Sequence, residues 1–324
     1  MTTSLTPPRD LLDRFAADLD ALAPQGTRLG IAVSGGPDSL ALLLLAAAAR
    51  PGMVEAATVD HGLRREAKQE ARFVASVCRN LAIPHHILHA KVAPGASLQA
   101  QARTARYRVL GAWAIERDLG AVASAHHADD QAETLLMRLA RGAGLSGLSA
   151  TRRRRVLEPG VLLVRPLLDW RRAELGEIVA AAQLTPVDDP SNRDPRFDRA
   201  RLRQALAQAD WIDPAAVAQS AAHLADADAA LEWAARREFA ESVTRDGPGL
   251  TYRPRAPRAI ALRVLAMIVR EMDHAEPRGS ALARLFDALA RRETASIGNL
   301  VARPLPGGWS FTPAPRRRSD RPPV

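Results

Sequence analysis

Two stretches of this sequence carry groups suited to binding and activating phosphate. The first, Ser34-Gly35-Gly36-Pro37-Asp38-Ser39, lies between an apolar, β-branched run (28–34) and a helical stretch (38–49) that stops at Pro51-Gly52. In a strand, glycine turn and helix arranged this way, backbone N–H groups and the helix N-terminus converge on an anion. The two glycines permit positive φ and close approach of backbone to ligand. The second stretch, His126-His127-Ala128-Asp129-Asp130-Gln131-Ala132-Glu133-Thr134, opens a helix and combines carboxylates with imidazoles. The loop is not a Walker A loop: Gly-Lys-Ser/Thr is missing, and Lys68 and Lys91, the only lysines, are remote from it in sequence. It is not GxGxxG either, although Asp60 stands at about the spacing where a dinucleotide-binding fold keeps its ribose acid. A tight glycine turn with an incidental Asp cap is the bland alternative.

The elements that must position these residues alternate. Strands are predicted at 28–34, 54–59, 85–88 and 121–125, and helices at 38–49, 66–81, 97–118 and 129–141. Such alternation predicts an α/β fold with a doubly wound parallel sheet. Ligands bind such sheets at the strands' carboxyl ends, where the loop, Asp60-His61 and 126–130 all fall. Beyond them come a hairpin at 156–168, a helix to about Leu184 capped by Asp169, a polar loop (187–195) and an Arg-studded helix (199–208). Trp211-Ile212-Asp213-Pro214 reads as a linker. A smaller, mainly helical domain follows, with a long helix at 215–243, helices at 258–272 and 279–291, and short strands near 250–252, Ile297 and Trp309. The expected division is therefore 1–212, 213–312 and a disordered basic tail, 313–324.

The chain has 324 residues, 47% hydrophobic and 25% charged, an ordinary globular composition. No apolar run is long enough to span a bilayer, and no secretory signal is evident at the N-terminus, so a cytoplasmic protein with no membrane partner is expected. Lys plus Arg exceeds Asp plus Glu by nine, 45 against 36. This excess suggests a phosphate-rich partner, although an arginine-favouring genome accounts equally well for the scarcity of lysine. Aromatic residues are only 4%, too few for a broad base-stacking platform. The single cysteine, Cys78, excludes an internal disulfide and a CxxC redox motif, and its place on an apolar helix face reads as a buried structural thiol. His85 and His86 alternate across a strand, which argues against a shared zinc ion.

The SGGxDS loop resembles that of the PP-loop ATP pyrophosphatase family, whose loop holds the pyrophosphate end of ATP during adenylation of a carbonyl-type oxygen. One cysteine disfavours the family's sulfur-transfer and glutamine-using branches. Further stretches resemble the tRNA(Ile)-lysidine synthetase branch: Val59-Asp60-His61-Gly62-Leu63-Arg64, Ala102-Arg103 with Arg106-Tyr107, 126–134, Arg141-Gly142, Arg165-Pro166-Leu167-Leu168 and Asp188-Asp189-Pro190-Ser191-Asn192. The resemblance spans about 28–205 and is faint over the last hundred residues. It implies an adenine nucleotide alpha hydrolase-like (HUP-like) catalytic domain and a helical tRNA-binding domain. It also implies ligation of free lysine to carbon 2 of the wobble cytidine in a tRNA(Ile) with a CAU anticodon, through an adenylated intermediate.

Under that resemblance Ser34, Gly35, Gly36, Pro37, Asp38, Ser39, Asp60, His61 and His126 bind ATP. Asp38 and Asp130, with Asp129 as the alternative, hold Mg²⁺, for which hard oxygen donors beside a triphosphate are suited. Asp38, Asp130, Glu133 and Arg201 are the catalytic candidates, with Glu133 binding the lysine ammonium or accepting a proton. Arg103, Arg106, Arg199, Arg201 and Arg203 hold tRNA phosphate or the adenylate. Ala200 stands where the family's Arg-Asn-x-x-Arg stretch has Asn. The oligomeric state stays open, a homodimer included. Two other readings remain: a different PP-loop adenylating enzyme, or a tRNA-binding protein without chemistry.

Overall fold

The computed structural model describes residues 5–62, 67–91, 98–187, 196 and 198–315. Leu63, Arg64, the Asp188-to-Asn192 motif and residues 316–324 of the expected tail lie outside the described residues. The chain divides into two compact units, Met1–Ala225 and Asp226–Val324.

The first unit begins with α1 (Arg9–Asp20), β1 (Leu29–Ala32), α2 (Pro37–Ala49), β2 (Val54–Asp60), α3 (Ala67–Asn80) and β3 (His85–His89). It continues through α4 (Leu98–Glu116), β4 (Ala121–Ala123), α5 (Ala128–Leu139), the single turn α6 (Leu145–Leu148), β5 (Arg154–Glu158), β6 (Val161–Val164), α7 (Arg172–Ala181) and α8 (Asp198–Ala207). The sheet order is β3-β2-β1-β4-β6-β5, parallel except for β5, which pairs antiparallel with β6. The chain reverses its winding direction at β1 and β4, so the crevice beyond their carboxyl ends is the binding position of this topology.

Apolar composition explains α2. Leu40 through Ala46 are all buried, because the helix lies between the sheet and α1 and α7, and an all-round apolar helix is stable only when covered. Trp170 closes that layer, edge-on to Phe15 at 6.5 Å with its indole N–H donating to Asp18 at 2.8 Å. Asp169 does not cap α7: Arg171 precedes the first turn, and the Asp169 carboxylate pairs with Arg153 instead.

Helix α9 (Pro214–Ser242) leads into β7 (Val243–Asp246), β8 (Gly249–Tyr252), α10 (Arg258–Asp273), α11 (Gly279–Ala290), β9 (Ala295–Ile297), β10 (Leu300–Leu305) and β11 (Gly308–Pro313). The mainly helical expectation for this region needs correction: the strands form an antiparallel five-stranded sheet, β7-β8-β11-β10-β9. Two-residue turns with positive φ at Gly247 and Gly307 join its hairpins. Strand β7 is polar and mostly exposed, so no hydrophobic alternation announced it. Pro313, expected at the start of the tail, pairs with Leu300 in the sheet.

Candidate active site

The glycine turn is held by its own side chains. Gly35 adopts φ +86°, and a Cβ there would press on Val187 Cγ2 at 3.0 Å, so this position needs glycine on two counts. The Val187 N–H donates to the Gly35 carbonyl at 2.9 Å. Ser39 accepts the Ser34 N–H at 3.1 Å and donates to the Gly36 carbonyl at 3.0 Å, which ties the turn to the first turn of α2. Pro37 occupies that first turn, where its missing N–H costs nothing. Asp38 thus stands at the helix N-terminus, where a carboxylate is favoured.

Across the crevice, His127 precedes α5 and is almost completely buried, 1% exposed. Its Nε2 lies 3.5 Å from Asp38 Oδ2 and 3.5 Å from Asp130 Oδ2, and its Nδ1 lies 3.6 Å from Asp129 Oδ2. Burial disfavours the imidazolium, but these three carboxylates outweigh it and lift the pKa to about 9. The adjacent aspartates diverge. Asp129 accepts the Arg172 N–H at 2.9 Å and meets Arg171 at 3.3 Å; burial opposes its ionisation, but these contacts and His127 hold its pKa below the usual range. Asp130 lines the same cavity as the glycine turn.

Glu133, one turn further along, is buried and has both oxygens engaged. Arg199 Nε donates to Oε2 at 2.6 Å and Arg203 Nε to Oε1 at 2.6 Å. Arg203 Nη2 also donates to Oε2 at 3.2 Å, so the carboxylate is held by arginine from both sides. Arg199 also reaches Asp130 Oδ1 at 3.2 Å. Residues 199 and 203 are four apart and share one face of α8, whereas Arg201 faces elsewhere, exposed and paired with Asp198. The structure therefore brings two of the three expected arginines together and leaves Arg201 outside. Ala200 is buried.

The resulting cavity, about 310 Å³, is lined by Ser34, Gly36, Pro37, Asp38, Ser39, His126, Asp130 and Arg203, among others. A neighbouring cavity of about 240 Å³ is lined by Val33, Ala57, Val59, Asp60 and His61; Ala32, Ser34, Glu70 and Arg106 border both. Asp60 accepts the Gly62 N–H at 2.8 Å and shapes the end of β2. His126 accepts from or donates to Ser124 Oγ at 3.1 Å; burial first, then Arg165, Arg103, Arg106 and Arg199, keep it neutral. Arg103 is exposed over the Tyr107 ring. Glu70, Val187 and Arg172 were not singled out in sequence; only their place in the fold brings them to the cavity walls.

Cys78 is buried in the core, and desolvation pushes its thiol up to about 12, an inert sulfur. His85 and His86 turn to opposite partners, Thr58 at 2.9 Å and Glu55 at 3.0 Å.

Residues 11–210 match the PP-loop domain family. A tRNA(Ile)-lysidine synthase from Novosphingobium aromaticivorans is 47% identical over 96% of this chain and 96% of its own length. The chain belongs to the tRNA(Ile)-lysidine synthase family. A second family member, from Zymomonas mobilis, is 42% identical over 91% of each chain, and a third, from Ruegeria pomeroyi, 43% identical over 90% of this chain and 72% of its own. The fold is shared with the U34-tRNA thiolase NcsA of Methanococcus maripaludis, at a TM-score of 0.53 and 15% identity, over 67% of this chain and 79% of that one. The glycine turn lies within the matched PP-loop domain. No described helix is long and apolar enough to cross a membrane.

Proposed function

We propose that the two adjoining cavities bind ATP, and that the site uses it to join free lysine to carbon 2 of the wobble cytidine of a CAU-anticodon tRNA(Ile). The observation that carries this reading is Asp38. Its Oδ1 is buried without a hydrogen-bond partner, at the N-terminus of the phosphate-loop helix and across His127 from Asp130.

The triphosphate sits on the N–H groups of the glycine turn and the positive end of α2. The adenosine enters the neighbouring cavity, against Ala57, Val59, Asp60 and His61. The cytidine 2-oxygen attacks the α-phosphorus and pyrophosphate leaves; the lysine amine then attacks carbon 2, loses a proton, and AMP leaves. Both steps gather negative charge on phosphate, which Arg106 and Arg203 at the cavity wall stabilise. Among the described residues no three His, Cys, Asp or Glu side chains form a metal cage. Magnesium needs none, since it uses one or two carboxylates together with substrate phosphates. Asp38 and Asp130 would hold it, and it would supply neutralising charge at the phosphates.

Glu133 acts as a positioning residue: it aims Arg199 and Arg203, and the reaction uses the arginines. Asp129 anchors Arg171 and the start of α7. Arg103 faces the incoming tRNA, and the C-terminal region gives the rest of the tRNA a second foothold in a cytoplasmic enzyme. The half-reaction tests this reading. With ATP, Mg²⁺ and unmodified tRNA but no lysine, pyrophosphate is released and AMP stays on the tRNA; failure to form that AMP-tRNA would overturn it.

A further inference from the structure

Arginines elsewhere in the described chain, such as Arg28, Arg50, Arg141 and Arg263, meet carboxylates. Around Tyr107 they do not. Among the described residues, none of Arg103, Arg106, Arg155 and Arg165 has a carboxylate within ion-pair distance, although they converge on this one side chain from α4, β5 and the end of β6. Arg155 lies over the Tyr107 ring at 4.8 Å and Arg103 at 5.3 Å. Arg165 is the most exceptional member. It is 2% exposed, donates from Nη1 to the Arg152 carbonyl at 2.5 Å, and keeps a buried Nε with no partner.

A buried guanidinium without a counter-ion is costly, and gathering like charges around it adds to the cost. Burial pulls Arg165 below its ordinary pKa, and Arg155 and Arg103 pull further, against the opposing pull of Tyr107. An arrangement of this kind is stabilised when an anion docks. Cation–π contact with Tyr107 holds the Arg103 and Arg155 guanidinium groups beside one ring, and guanidinium N–H groups are the donors that phosphate oxygens accept. Arg106 continues the cluster into the wall of the candidate active site.

We infer that Arg103 and Arg155, held by Tyr107 and backed by the buried charge of Arg165, form a receiving surface for a backbone phosphodiester of the RNA strand that presents the reacting base. This inference rests on the proposed tRNA reaction and adds the place where the strand is gripped. The shared chemistry is phosphate, and two sources exist, the RNA backbone and ATP.

The test compares wild type with Arg155→Gln, an exposed residue outside the nucleotide cavities. Affinity for unmodified tRNA(Ile) with a CAU anticodon is measured across salt concentrations, and ATP affinity is measured without tRNA. We expect a roughly tenfold weaker tRNA Kd, a salt slope shallower by about 0.7 to 0.9 per lost phosphate contact, and unchanged ATP affinity. An Arg103→Gln, Arg155→Gln pair should deepen both tRNA effects. Unchanged tRNA affinity and slope would overturn the inference, and so would an equal loss of ATP affinity, which would give the anion to the nucleotide. Because the readout is binding, a wild-type protein that grips tRNA but incorporates no lysine would sink the ligase reading and leave the surface standing.

Discussion

The Nε2 of His127 lies 3.5 Å from Oδ2 of Asp38, a contact between the residue that opens α5 and the first turn of the phosphate-loop helix. Asp130 sits at the same distance from the same nitrogen, so one buried imidazolium holds together the two carboxylates that face the glycine turn.

Stability should therefore depend on pH in a defined direction. The folded pKa of about 9 is above the ordinary histidine value of 6.5. The group's contribution is fully present below pH 6.5 and is lost as pH rises through 9. Thermal unfolding in Mg²⁺-free buffer should show a fall in Tm of roughly 5 °C across that window, and His127→Gln should flatten it. A wild-type Tm that rises over the same window would contradict the assignment.

The face of α8 predicts an asymmetry between neighbours. Arg203→Ala should lower lysine incorporation about 100-fold, the usual scale for a misplaced active-site group, whereas Arg201→Ala should stay within about twofold. Steady-state kinetics of the two variants side by side checks this. Equal losses would return Arg201 to the site.

Glu133→Gln removes the charge that aims Arg199 and Arg203 while keeping the side chain's shape. Breaking a buried ion pair on one side costs on the order of 3–5 kcal/mol, so stability should fall along with turnover. ATP affinity should change little. If lysine KM alone rose, with stability untouched, Glu133 would be a lysine ligand.

Cys78→Ala should leave turnover within about twofold and cost about 1 kcal/mol of stability, as for a small core side chain. Loss of activity with an intact fold would revive thiol chemistry.

Much of this was legible in the sequence. The run of strands and helices around 28–141 was readable because period and glycine punctuation agreed, and the SGGPDS turn announced its own conformation. The pairing of Arg199 with Arg203, four apart, follows from helical spacing, but their common partner Glu133 sits 66 residues away from Arg199 and no local pattern names it. Asp129 and Asp130 are chemically identical in sequence; only the positions of Arg171 and the glycine turn separate them. Strand β7 escaped because it lies exposed at a sheet edge, and the Tyr107 cluster because its members come from three elements.

The central claim is tested most directly by incubating the protein with ATP, Mg²⁺, labelled lysine and unmodified tRNA(Ile), then locating the label. The account predicts lysine at carbon 2 of the wobble cytidine, with one AMP and one pyrophosphate released for each lysine joined. Pyrophosphate release without lysine on the tRNA, or neither product, would contradict it.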